Sequence, residues 1–79
     1  MRRDREFWTT EAEYIEDALA NGPGRNFNFD LEVFLRYVTM QRNSAYRDGE
    51  TIASERINKV VAKVLHAISE RARRGIMEG

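Results

Sequence analysis

The chain has 79 residues, with 13 basic and 13 acidic side chains, one histidine and no cysteine. That length sets one small domain with a thin core. The balanced charge argues against a dedicated nucleic-acid or membrane-surface binder, and no disulfide framework, thiol nucleophile or cysteine zinc site can form. Four Phe, three Tyr and one Trp, together with the Ile, Leu and Val residues, supply a core, which excludes a disordered chain. No apolar run approaches the roughly 18–20 residues of a membrane span. The basic start Met1-Arg2-Arg3 is not followed by the apolar region of a signal peptide, and a cytoplasmic location is expected.

Residues 1–8 read as an N-terminal arm, with Phe7 and Trp8 placed to fold back onto the core. Thr10 followed by Glu13 matches a capping box, so the first helix is expected over 10–21. Ala12, Ile15, Ala18 and Leu19 give it one modest apolar stripe. Asn21-Gly22-Pro23-Gly24 stops it, because proline cannot continue a helix. Glu11, Glu13, Glu16 and Asp17 make this helix acidic.

The next stretch is two-sided. Phe27, Phe29, Leu31 and Val33 alternate with polar residues as in a strand, while Leu31, Phe34, Leu35, Val38 and Ala45 keep a helical period. Asn and Asp cap helices better than they fill strands, so Asn28 or Asp30 opens a second helix over 30–47. A short extended piece at 26–29 stays open as an alternative. Beyond Asp48-Gly49, Thr51 or Ser54 can cap a third helix over 51–74, with Gly75 ending it and 75–79 as a tail. Ala53, Ile57, Val60, Val61, Val64, Leu65 and Ile68 form its apolar face. At 1.5 Å per residue it is roughly 35 Å long, more than the ~30 Å breadth of such a domain. It therefore spans the molecule or projects from it. The expected fold is an all-α three-helix bundle, a single domain that homodimerisation could complete.

Catalytic and metal chemistry find little support. The single His66 falls opposite the apolar face of the third helix, among Glu55, Lys59, Lys63 and Arg73, where no nucleophile meets it. His66 and Glu70 are one turn apart but lack a third ligand, and Gly22-Pro23-Gly24 lacks the Lys-Ser/Thr of a phosphate loop. No catalytic residue, metal or cofactor is expected.

Binding is the better reading. Val33, Tyr37 and Met40 lie on the second helix nearly opposite its core face, with Arg36 at their rim. In so small a protein an apolar second face marks an interface, and Tyr, Met and Arg are enriched at interface centres. The β-branched face of the third helix offers a further route to a symmetric dimer. The expected function is a non-catalytic regulator or inhibitor acting by protein–protein contact, of the kind phage and mobile elements carry as accessory proteins. The alternative is nucleic-acid binding through Arg56, Lys59, Lys63, Arg73 and Arg74, since the third helix and its lead-in carry a local excess of three positive charges. No helix-turn-helix, ribbon-helix-helix or nucleoid-protein motif matches these residues.

Overall fold

Asp4, rather than Thr10, opens the first helix. Its carboxylate accepts from the Phe7 backbone N–H at 2.9 Å and its carbonyl from Trp8 N–H at 3.2 Å, satisfying donors that a helix start leaves free. In this computed structural model, which describes residues 2–21 and 30–78 (backbone alone at 76–78), α1 spans Arg5–Asn21, α2 Leu31–Arg47 and α3 Thr51–Glu78. The expected arm over 1–8 is thus corrected. Its second half is helix, and Trp8, placed by Asp4 on the Ala12–Ile15 stripe, is a core residue at 1% exposure. The alternation at 26–29 lies outside the described residues.

Asp30 caps α2 as its sequence position suggests, in extended conformation with its carboxylate accepting from Glu32 N–H at 2.9 Å. The other end of α2 closes in a Schellman turn. Gly49 N–H reaches the Tyr46 carbonyl and Glu50 N–H the Ala45 carbonyl, both at 3.0 Å. Gly49 sits at φ +79°, the only positive φ among the described residues, where a side chain is strained. The chain leaves this turn straight into α3. Ser54 does not cap that helix. Its buried hydroxyl donates to the Arg42 carbonyl at 3.2 Å and ties α3 to α2.

Gly75 does not end α3, which continues to Glu78. An exposed glycine inside a helix costs about 1 kcal/mol, and without a left-handed turn it provides no stop. The expected tail at 75–79 is therefore helical through Glu78.

The result is an all-α three-helix bundle in which α1 and α2 both pack on α3. Arg5 pairs with Glu50 at 3.2 Å and Glu16 with Arg56 at 2.6 Å, so α1 runs alongside α3 in the same direction. The core joins Trp8, Ala12 and Ile15 to Leu31, Phe34, Val38 and Ala45, and to Ala53, Ile57, Val60, Val61 and Val64. Of the β-branched face of α3, Ile57, Val60, Val61 and Val64 are thus covered by the chain's own α1 and α2. Past Ile68 the described side chains of α3 leave the core, and the described residues extend 47 × 22 × 17 Å. Among them, no helix is long and apolar enough to cross a membrane.

Candidate functional site

The periodicity of α2 puts Phe34, Val38 and Ala45 into the core and turns the opposite arc outward. Val33 is 58% exposed and Met40 62%, with Arg36 exposed between them. Tyr37 differs. At 38% exposure it leans toward α1, donating its hydroxyl to the Glu11 carboxylate, and the Gln41 amide donates to the same oxygen. Burial, followed by the Glu11 contact, pushes the phenol well above its ordinary value of 10.0. Tyr37 therefore links α1 to α2, and only part of its ring remains for a partner.

Arg36 and Met40 also belong to an open groove of about 520 Å³ between α2 and α3, completed by Glu32, Leu35, Thr39, Leu65 and Ile68. Leu65 falls on the apolar face of α3 by its helical phase, yet it is 50% exposed. It lies at the edge of the apolar arc, where α2 covers one flank only. The face that can bind is thus Val33, Arg36 and Met40 extended across the groove to Leu65. Periodicity along single helices marks the first three; Leu65 becomes visible only when α2 and α3 are set side by side.

The five basic residues of the alternative site are not equivalent. Arg56 is half-buried, and its guanidinium holds both oxygens of Glu16, at 2.6 and 3.1 Å. That pairing holds the Glu16 carboxyl below its ordinary value of 4.5, with Lys63 and Lys59 adding to the effect. Arg73 lies 3.6 Å from Glu70, which also sits 4.0 Å from His66. Lys59, Lys63 and Arg74 are exposed, and none of the three has a carboxylate partner among the described residues. The acidic α1 accordingly spends Glu16 on α3 and Glu11 on α2.

His66 is solvent-exposed on the projecting part of α3, with Glu70 as its acidic neighbour. No group of three or more His, Cys, Asp or Glu residues able to hold a metal occurs among the described residues.

No protein-family model, curated protein or solved structure matches this chain.

At the end of the bundle where α2 turns into α3, a second cleft of about 520 Å³ is lined by Arg2, Arg3, Trp8, Gln41, Ser44, Arg47 and Asp48. Asp48 organises it. Its carboxylate accepts from the Trp8 indole N–H at 2.8 Å and the Arg3 backbone N–H at 3.1 Å, and its carbonyl from Arg2 Nε at 2.8 Å. The indole contact first, then the backbone N–H, hold this carboxyl below its ordinary value of 3.8.

Proposed function

We propose that this chain is a non-catalytic binding protein of the cytoplasm that acts as a regulator or inhibitor by protein–protein contact. Its binding face is the outer side of α2 and the α2/α3 groove. The observation that carries this reading is the apolar strip of Val33, Met40 and Leu65, each at least half exposed, around a groove floored by Leu35 and Ile68. Monomeric proteins rarely leave such a strip uncovered, and an apolar groove between two helices suits a further helix. The rim favours a second copy as the first occupant. Glu32 and Arg36 stand one turn apart without ion-pair partners among the described residues. A two-fold antiparallel pairing about that turn sets Arg36 of one copy beside Glu32 of the other.

Light scattering across a hundredfold concentration range tests this. A dimer that becomes a monomer in Met40→Glu and in Leu65→Glu, with the helical CD signal unchanged, is the expected result. A parent chain that stays monomeric at every concentration refutes self-pairing. Tyr37→Glu is the less informative variant, because it also breaks the tie to Glu11.

The competing reading places function on Lys59, Lys63 and Arg74, and it is favoured by their exposure along a helix that outruns the bundle. A mobility shift on duplex DNA that weakens steeply with salt, and that is lost in Lys59→Gln/Lys63→Gln, would replace the protein-contact reading.

A further inference from the structure

The cleft between the N-terminal segment and the α2–α3 turn shares no lining residue with the α2/α3 groove. Three arginines line it, although Arg2 and Arg3 are some 45 residues away from Arg47 in the chain. Each is held by a contact that leaves its charge unneutralised. Arg2 is anchored through Nε to the Asp48 carbonyl, Arg3 lies 4.4 Å from the centre of the Phe7 ring, and Arg47 donates through one Nη2 to the Ser44 hydroxyl at 3.2 Å. None has a carboxylate within ion-pair distance among the described residues. A guanidinium carries five N–H donors, so most of these donors stay unspent.

The one acid of the cleft, Asp48, is already occupied by the indole and the Arg3 amide. Three arginines against Asp48 leave a net charge of two positive units, the complement of a phosphate monoester dianion. Planar guanidinium forks match phosphate oxygens, and the Gln41 amide and Ser44 hydroxyl lie in the same wall. Like charges held together in one concavity repel, and a bound anion relieves that repulsion.

We propose that the Arg2–Arg3–Arg47 cleft is a binding site for a phosphate monoester group, independent of the protein-contact face. The phosphate is carried either by a small molecule or by a phosphorylated side chain of a peptide.

Trp8 is the only tryptophan, and its indole N–H points at Asp48 inside the cleft, so its NMR resonance reports occupancy. Inorganic phosphate is titrated into the ¹⁵N-labelled chain at constant ionic strength set with chloride. The expected result is a saturable shift of the indole resonance, weakened about tenfold or more in Arg47→Gln and in Arg3→Gln. Lys59→Gln, on the outer face of α3, is expected to bind as the parent does. A phosphoserine peptide, compared with its unphosphorylated twin, separates the two sources. Tighter binding of the phosphopeptide than of inorganic phosphate assigns the group to a protein, and equal binding assigns it to a small ester. No saturable shift overturns the proposal. So does a parent-like titration of both arginine variants, or an equal loss in Lys59→Gln, which would show only a diffuse positive field.

Discussion

The two halves of α3 share one helix and opposite circumstances. From Thr51 to Val64 its apolar face is buried beneath α1 and α2, and Ser54 and Arg56 are bonded to those neighbours. From Leu65 onward the described side chains are half-buried or exposed, and the ion-pair partners of His66 and Arg73 come from the helix itself, at Glu70. The same backbone hydrogen-bonding runs through both halves. What differs is the source of stability: tertiary packing in the first, and in the second, past Ala67 and Ile68 at the core's edge, intrinsic propensity and i,i+3 or i,i+4 charge pairs. A helix can thus be regular along its length while only half of it belongs to the cooperative fold.

The sharpest way to expose that difference is to remove one aliphatic side chain from each half. Ile57→Ala leaves a cavity in the fully buried core and is expected to cost about 2–5 kcal/mol in chemical denaturation. Leu65→Ala, at a half-exposed position, is expected to cost under ~1 kcal/mol. Equal losses would mean that the second half is as well covered as the first.

The turn feeding α3 gives the next largest effect. Gly49→Ala places a Cβ 3.0 Å from Arg2 Nη2 at a residue already at φ +79°. The displaced guanidinium can swing aside, so backbone strain dominates, at about 1–2 kcal/mol in thermal or chemical unfolding. A neutral result would show that the Schellman turn does not hold α2 and α3 in register.

The smallest effect is electrostatic and confined to the packed half. The Glu16 and Asp48 carboxyls titrate lower in the folded protein than in the unfolded chain. Their contribution is therefore complete above the unfolded values of 4.5 and 3.8 and is lost as pH falls through and below them. Glu16→Gln is expected to cost about 0.5–1 kcal/mol at pH 7, as a partly exposed pair should, and to flatten the melting temperature between pH 5 and pH 3. A variant with the parent's pH profile would assign the acid sensitivity elsewhere.

Much of this arrangement is legible in the sequence where the signal is local. Asp30 as a cap, Gly49 as a turn and the apolar faces of α2 and α3 are all read within a few residues, and Val33 and Met40 are exposed as their helical phase demands. The start of α1 is not, because Thr10 and Glu13 imitate a capping box while Asp4, among arginines, reads as part of a charged arm. Trp8 is a core residue as its apolar character suggests, but it reaches the core from within α1 and not from an arm. The partners that decide a site are also long-range. Nothing near Arg56 reveals Glu16, and nothing near Arg47 reveals Arg2 and Arg3.

The indole–carboxylate contact between Trp8 and Asp48 has a consequence for how folding is observed. The α2–α3 hairpin closes over a three-residue turn, whereas the side-chain hydrogen bonds that tie α1 to that turn and to α3, from Arg5, Trp8 and Glu16, span at least 40 residues of chain. Loop closure makes such contacts entropically later than local ones. The only tryptophan sits on the late-arriving helix, against the hairpin's turn. Its fluorescence therefore follows the docking of α1, whereas far-ultraviolet circular dichroism follows the sum of all three helices.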